Sequence, residues 1–356
     1  YLDPDGGITN TTNILVVPNR SGNYKTTGNK PIPYLVESYE ANADSTVFTF
    51  YLRKGLKWSD GVPVTTEDVD FAYNDVILNT ELTPAVPRNL TVNDEPAELT
   101  IIDDFTFSLT FAAPYGGFSG VLAADMLGYG WLFQPKHYLK DYHIKYRSLE
   151  DMAEDLEEAG LEPDQWWELY NRIASPITSE TLGVPTLNPW MIVAREGGII
   201  QWDRNPYYVA VDEAGRQLPY IDHMRSQMIK DPRMAPMKVL NGEVDFLRET
   251  ANLTDLPLYA DFLDKEVFKI YLYMKDVATG QLLLNLSHED PVWREVLWDV
   301  RFRKAVSLAI NRDEIIDAVY LGQAIPSDIQ EPTYDPEQAN ALLDDMGMVE
   351  RDSEGY

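Results

Sequence analysis

The alternation of apolar and polar residues between positions 46 and 53 is that of a half-buried strand. Phe48, Phe50 and Leu52 fall on one face of this segment, with polar residues between them. After two turns, apolar residues recur at helical spacing from Val69 to Val76. A threonine before this helix, with an acid about three residues later, resembles a capping box. The pattern therefore predicts a strand, a turn and a capped helix in succession.

The rest of the chain shows both periodicities in mixed order. Alternating residues predict a hairpin across 97–112 and short strands on either side of Gly197-Gly198. Further predicted elements are helices over 148–160 and 163–174, two helices near the end of the chain, and strand-like segments at 269–273 and 281–286. Residues 175–190 are rich in proline and glycine and predict irregular backbone. Because strands and helices do not alternate strictly, we expect a multi-lobe α/β protein.

Length and charge narrow the class of protein. The chain has 356 residues, with 58 Asp plus Glu against 29 Lys plus Arg and a formal net charge of −29. This length suits more than one core, because single cores stop growing at roughly 250–300 residues. A negative field of this size repels phosphate backbones, so we expect no nucleic-acid partner. No stretch approaches the ~20 uninterrupted apolar residues of a membrane-spanning helix.

The sequence carries no recognisable catalytic or metal-binding motif. The absence of cysteine excludes thiolate metal sites and cysteine nucleophiles. We interpret the histidines as isolated surface or loop residues, because none has a partner at ligand spacing; they are His137, His143, His223 and His288. Phosphate-binding loops and serine nucleophile elbows are also missing. We therefore predict no catalytic residue, no metal and no cofactor. A hydrolase with paired carboxylates stays the alternative, because the many acids produce close pairs by chance.

Aromatic residues in loops are more informative than the titratable ones. The chain has 8 Trp, 21 Tyr and 12 Phe. Two phrases, Tyr129-Gly130-Trp131 and Asn188-Pro189-Trp190, place indoles in predicted loops, where binding sites concentrate. Flat rings with a polar edge suit stacking on sugars or packing on peptide side chains. The alternative for each tryptophan is a hydrophobic plug beneath a loop.

Five ordered segments together resemble one known family. They are Phe48–Val69, which contains Trp58-Ser59-Asp60-Gly61; Asp203–Tyr208; Leu240–Asp245; Asp299–Ala305 with Asn311-Arg312; and Tyr334–Ala339. These segments are similar to the signatures of the family 5 extracytoplasmic solute-binding proteins. That family comprises the oligopeptide, dipeptide, nickel and oligosaccharide receptors of ABC importers. The matches are in order and span most of the chain.

The resemblance implies a fold and a division into domains. The fold would be α/β, like the two-lobe periplasmic binding proteins of type II, in the large class with an extra domain and with mixed sheets flanked by helices. Residues 1–11 would be part of the first lobe, 12–122 the extra domain, 123–280 the first lobe, and 281–356 the start of the second lobe. Against that template we expect the chain to be incomplete at both ends.

The resemblance also implies a function without catalysis. The protein would be an extracytoplasmic receptor, in the periplasm or at the cell surface, with an anchoring lipid attached upstream of Tyr1. As a monomer it would close on a peptide or an oligosaccharide and deliver it to an ABC permease in the membrane. The candidate ligand-binding residues are Tyr129, Trp131, Asn188, Trp190 and Asn285. Leu283 stands where some peptide receptors have an acid, which argues against a charged ligand.

Overall fold

The chain forms two compact units, which are described separately below. Unit 1 comprises Tyr1–Pro232 and Asp245–Glu249, and unit 2 comprises Arg233–Val244 and Thr250–Tyr356. The structure is a computed structural model that describes residues 16–17, 32–124, 132–174, 182–247, 251–263, 268–272, 282–326 and 333–350. The domain boundaries expected from the resemblance stay predictions.

Strands and helices both occur in unit 1, whereas the described part of unit 2 contains helices. The strands are β1 (Val16–Val17), β2 (Ile32–Pro33), β3 (Val36–Ala41), β4 (Val47–Leu52), β5 (Thr91–Val92), β6 (Glu95–Pro96), β7 (Glu98–Asp103), β8 (Thr106–Thr110), β9 (Trp190–Glu196), β10 (Ile199–Arg204) and β11 (His223–Gln227). The α-helices are α1 (Thr66–Asp70), α2 (Phe118–Ala124), α3 (Lys136–Leu139), α4 (Ala153–Glu158), α5 (Trp166–Ala174), α6 (Met234–Leu240), α7 (Leu256–Leu263), α8 (Pro291–Trp298), α9 (Val300–Leu308), α10 (Arg312–Tyr320) and α11 (Pro336–Asp344).

An antiparallel sheet in the order β3-β4-β8-β7 forms the first core, which we call the sheet core. The predicted strand and hairpin are confirmed, with Phe48 opposite Leu109 and Phe50 opposite Phe107. Phe50 and Phe107 are fully buried, and their rings stack at a centroid distance of 5.2 Å. Val47, Thr49 and Tyr51 occupy the other face of β4 and are half-buried, so burial alternates along the strand. The largest buried side chains of the sheet core are Trp58, Phe50, Phe107, Phe118 and Tyr73.

Helix α1 begins as the sequence predicts and then changes its winding. Thr65 is the N-cap, and its capping box with Asp68 is complete. The helix continues over Phe71–Ile77 as a π-helix, which has one more residue in each hydrogen-bonded turn than an α-helix. Val76 therefore does not share a face with Val69. It packs in a second core, whereas Val69 packs in the sheet core.

Helices α3, α4 and α5 surround this second core, which we call the helical core. Its largest members are Phe71, Leu139, Met152, Trp166 and Tyr170. The helix predicted from Ser148 begins only at Ala153. Residues 149–152 form turns, in which the Ser148 hydroxyl accepts the backbone N–H of Asp151. Gly160 ends the helix with a positive φ of 66°, as the sequence predicts. Because Phe71 and Tyr73 point to opposite cores, one helix separates the two.

A small antiparallel sheet, in the order β11-β10-β9, completes the described part of unit 1. The two strands predicted around Gly197-Gly198 are confirmed and are longer than expected. Trp190 is the first residue of β9, so the prediction that it lies on irregular backbone is wrong. Its indole packs with Ile200, Trp202 and Met224.

Acidic and amide side chains begin the last four helices of unit 2. Asp290, Asp299, Asn311 and Asp335 are the N-caps of α8, α9, α10 and α11, and each accepts a backbone N–H of its own helix. Ala339 of α11 packs against Ala305 and Leu308 of α9. No strand forms over 269–272 or 282–286, the described parts of the two strand-like segments. Both segments are largely exposed, so their apolar residues do not mark a buried strand face.

Candidate functional site

Two of the sequence motifs contact each other in unit 1, although they are far apart in the chain. Ser59 lies in the turn Trp58–Gly61 of the first motif, which we call the motif turn. Its backbone N–H donates to the carbonyl oxygen of Thr186 at 3.0 Å, and the N–H of Thr186 donates to the Ser59 hydroxyl oxygen at 3.0 Å. Gly61 has a φ of 91°, and Tyr207 lies so close that a Cβ at this position would be 3.1 Å from the tyrosine oxygen. The Lys57 ammonium lies 5.1 Å from the centre of the same ring. Position 61 therefore requires glycine, because its φ is positive and because a side chain would collide with the Tyr207 ring.

Asn205 holds the loop that carries two candidate ligand-binding residues. Its side chain is 1% exposed, and its Nδ2 donates to the carbonyl oxygens of Thr186 at 3.3 Å and Asn188 at 3.0 Å. Its backbone N–H donates to the carbonyl of Pro189 at 2.7 Å, and its Oδ1 accepts the N–H of Tyr207 at 2.8 Å. These bonds satisfy the polar groups of a buried loop, which an apolar side chain cannot do.

The structure places Asn188 and Trp190 on this loop and inside unit 1. Asn188 is 3% exposed and Trp190 is 7% exposed. The indole N–H of Trp190 donates to the carbonyl oxygen of Ile221 at 3.1 Å, which ties the start of β9 to the segment before β11. The assignment of both residues to ligand binding stays a prediction.

The remaining candidates lie elsewhere in the chain. Asn285 is exposed and belongs to unit 2, where its Oδ1 accepts the N–H of Ser287 at 3.1 Å. Tyr129 and Trp131 lie outside the described residues. The structure therefore brings together Asn188 and Trp190 of the five candidates. It also shows the part played by Asn205, which the sequence marked only as a motif position.

A buried carboxylate supports the first motif from the helix side. Asp68 is 4% exposed and accepts hydrogen bonds from the Trp58 indole at 3.1 Å and from the backbone N–H groups of Thr65 at 3.0 Å and Lys136 at 3.1 Å. Burial raises the pKa of Asp68, although these hydrogen bonds and nearby His137 favour its charged form. This carboxylate joins the motif turn, the helix cap and the start of α3. It is therefore a structural group.

The described part of the chain has an open groove and a buried histidine, and neither includes a predicted ligand-binding residue. An open groove of about 410 Å³ lies at one end of the sheet β3-β4-β8-β7. It is lined by Tyr51, Lys54, Asp103, Phe105 and neighbouring residues. None of these is a predicted ligand-binding residue. Among the described residues, no group of three or more histidines and acids is arranged to hold a metal ion. His143 corrects the interpretation of the histidines as surface or loop residues, because it is 2% exposed in the helical core.

The comparison with protein families identifies the class. The model of the bacterial extracellular solute-binding proteins, family 5 (middle region), matches residues 30–356. This chain therefore belongs to the family 5 solute-binding proteins, as the five motif segments predict. The Asn205 and Ser59 contacts described above show what two of those segments do in the fold.

Two curated relatives are described as binding proteins. The chain is 27% identical to the periplasmic alpha-galactoside-binding protein of Rhizobium meliloti over 353 residues, which are 92% of this chain and 47% of that protein. It is 26% identical to a probable ABC transporter-binding protein of Deinococcus radiodurans over 346 residues, 91% of this chain and 53% of that protein. The chain thus spans about half the length of these curated relatives. Neither the family nor these relatives support the hydrolase alternative.

Solved structures agree on the fold. An oligopeptide-binding protein, OppA, is 32% identical and superposes with a TM-score of 0.67, covering 96% of this chain and 55% of that one. The periplasmic binding protein MelB of Agrobacterium fabrum, solved with stachyose, is 23% identical with a TM-score of 0.66, covering 98% of this chain and 52% of that one. The chain has the α/β fold of these periplasmic binding proteins. Within the described residues, no helix is both long enough and apolar enough to cross a bilayer.

Proposed function

We propose that this chain belongs to the substrate-binding protein of an ABC importer, and that the protein captures peptides or oligosaccharides outside the cytoplasm. The match of the family model over residues 30–356 carries the proposal. The relatives support both substrate classes, because one is an alpha-galactoside-binding protein and a structural neighbour is an oligopeptide-binding protein. The curated relatives include periplasmic proteins, which supports an extracytoplasmic location.

Binding of this kind needs no reactive group. A ligand that contacts both lobes of a hinged receptor stabilises the closed state by the difference between its affinities for the closed and open states. The closed monomer would then present a changed surface to the membrane permease. A lipid attached upstream of Tyr1 would keep the receptor near that permease.

The first experiment is a ligand screen by thermal shift and calorimetry on the purified protein. The panel contains short peptides, the alpha-galactosides raffinose and stachyose, and xylo- and manno-oligosaccharides. A ligand present at 100 times its Kd stabilises the folded protein by about 2.7 kcal/mol. Stabilisation by one class, with the ligand recovered unchanged, supports the proposal and names the substrate. Turnover of the ligand at catalytic rates, or no response to either class, would overturn it.

A second experiment tests the candidate residue Trp190. Trp190→Ala should weaken binding of the ligand found in the screen by at least about 1 kcal/mol if the indole contacts it. The matched control is Trp202→Ala, which removes an indole from the same cluster at a position not assigned to the ligand. Both variants should melt at lower temperatures than the wild type. Equal affinities in the two variants would show that Trp190 acts only in the core.

A further inference from the structure

The helical core encloses one histidine almost completely. His143 is 2% exposed, and four aromatic rings have their centres within 6 Å of the imidazole. They are Trp166 at 5.0 Å and Phe71, Tyr146 and Tyr170, each at 5.8 Å. The indole N–H of Trp166 has no hydrogen-bond acceptor among the described residues. Burial at this position removes the imidazole from water, which disfavours its charged form.

Those hydrogen bonds define the protonation state of the ring. Nε2 lies 2.9 Å from the backbone oxygen of Asp75, and a carbonyl oxygen can only accept, so Nε2 carries the proton. The backbone N–H of Lys145 donates to Nδ1 at 3.1 Å, so Nδ1 must have its lone pair free. The ring is therefore the neutral tautomer with the proton on Nε2. A second proton would place two N–H groups against each other.

Asp75 accepts three hydrogen bonds that join the turn from His143 to Tyr146 to the helix. The imidazole donates to its backbone oxygen, and the Lys145 ammonium and the Tyr146 hydroxyl donate to its two carboxylate oxygens. Asp75 lies in the last turn of the π-helix, where carbonyl groups have no partner within the helix. The turn thus satisfies the end of the helix, and the helix in turn positions the histidine.

The charged groups around His143 have opposite effects on its protonation. Burial has the largest effect and lowers the pKa of His143. The hydrogen bond to Asp75 and the Asp75 carboxylate raise this pKa, the Lys145 ammonium lowers it by a smaller amount, and Glu81 raises it slightly, so the pKa stays below its ordinary value. The bond to Asp75 raises the pKa of Lys145, which therefore stays charged. Burial, with a smaller effect of Asp75, raises the pKa of Tyr170, which stays neutral. His143 is thus the member of this cluster with an ordinary pKa near neutrality.

We propose that His143 is an acid-sensitive latch of the helical core. Protonation of Nδ1 breaks the hydrogen bond from Lys145 and places a charge among the aromatic rings. The turn 143–146 then separates from Asp75, and the helical core loosens while the sheet core stays intact. The proposal goes beyond ligand binding and does not depend on the substrate class.

The direction of the pH effect follows from the lowered pKa of His143. Its folded-state pKa lies below the ordinary value of 6.5, so the unfolded chain takes up its proton first as the pH falls. The stabilisation is complete above the ordinary value and is lost as the pH falls through the folded-state pKa. Between these two values, the folding equilibrium constant falls by up to about tenfold for each pH unit.

Thermal unfolding between about pH 7.5 and pH 5 tests this dependence. His143→Gln should melt at a lower temperature than the wild type at neutral pH, but its melting temperature should fall less as the pH decreases. The matched control is His223→Gln, because His223 is exposed on β11 with Asp203 as its partner. This control should follow the wild-type slope. Equal slopes for all three proteins would overturn the proposal.

NMR of the wild-type protein keeps the test decisive if the His143 variant fails to fold. The ring signals of the four histidines can be followed in one pH titration. The His143 signal should titrate below 6.5, and the Lys145 amide should lose its protection from hydrogen exchange with the same midpoint. Titration of His143 at or above its ordinary value, or protection of Lys145 that persists through the midpoint, would overturn the latch.

Discussion

The sheet core and the helical core share one helix but differ in what they bury. The sheet core is filled by apolar rings, and its buried acid, Asp68, accepts hydrogen bonds from N–H groups only. The helical core encloses a polar cluster in which His143 both donates and accepts. A carboxylate that only accepts can be charged or neutral without losing its position. A histidine with a donor on one side and an acceptor on the other can keep its partners in one protonation state only.

This difference predicts which core resists acid. The sheet core gains its stability from burial of apolar surface, which does not depend on pH. The helical core depends in addition on the hydrogen bonds between His143, Asp75 and the turn after His143, and partial loss of such a network is costly. Substitutions in the two cores should therefore differ in size and in pH dependence.

The largest loss should follow truncation of the aromatic ring at the centre of the sheet core. Phe50 is fully buried and stacks on Phe107, so Phe50→Ala should destabilise the protein by about 3–5 kcal/mol at every pH. Ile102→Ala, at a position 56% exposed on β7, should change stability by less than about 0.5 kcal/mol. Denaturant unfolding measures both. A Phe50→Ala loss that grows steeply in acid would show that the packing of Phe50 depends on protonation.

A smaller loss should follow removal of the acceptor in the helical core. Asp75→Ala leaves the Lys145 ammonium and the Tyr146 hydroxyl without their shared partner, and should destabilise the protein by about 2–3 kcal/mol. The control is Asp70→Ala in the same helix, whose carboxylate is bound only to the exposed Asn74 side chain among the hydrogen bonds described. Unfolding followed by tryptophan fluorescence measures the difference. Similar losses in the two variants would show that the cluster adds no stability.

The hydrogen bonds of Asn205 to the loop before β9 should contribute less to stability than Asp75 does. Asn205→Ala removes two hydrogen bonds to the carbonyls of Thr186 and Asn188 and one from the N–H of Tyr207. We expect a loss of about 2 kcal/mol, because these backbone groups stay buried. Asn74→Ala, at an exposed position, serves as the control. Hydrogen exchange should show the change in the loop before β9 and in β9 itself. Faster exchange in the helical core instead would contradict the assigned role.

The smallest effect is a pH dependence opposite in sign to that of His143. Burial raises the pKa of Asp68 above its ordinary value of 3.8. Between pH 3.8 and this raised pKa, the native state therefore holds more protons than the unfolded chain. Its contribution to stability is therefore gained as the pH falls through the raised pKa. Asp68→Asn should cost about 1 kcal/mol through the weakened cap. Unfolding at two acidic pH values should show this deficit growing as the pH falls, and a shrinking deficit would contradict the assignment.

Local patterns predicted much of the fold correctly. The strand 47–52, the hairpin after it and the capping box at Thr65 follow from residues within a few positions of one another. The family was also recognisable, because its motif segments are continuous in the sequence and match residues 30–356. Short-range hydrogen bonds and side-chain periodicity carry this information without reference to the rest of the chain.

The surroundings of Trp190 and His143 were harder to predict from the sequence. Trp190 was expected in a loop, and the structure makes it the first residue of a strand with its indole on Trp202. His143 was interpreted as isolated, and it lies at the centre of the helical core. The apolar rings that cover both residues belong to other elements. Only the combination of an internal acid at Asp75 and a downstream His-x-Lys-Tyr phrase could have suggested the cluster.

The amino-acid pattern by itself determined the strand 47–52, the hairpin after it and the cap at Thr65, and it identified the family. The tertiary structure decided which polar residues are buried and which motif contacts which. His143 meets Asp75 across 68 positions, and Ser59 meets Thr186 across 127. Burial and protonation depend on neighbours brought together by packing, so no local spacing encodes them. For this reason one helix can carry Tyr73 into an apolar core and Asp75 into a polar one, only two residues apart.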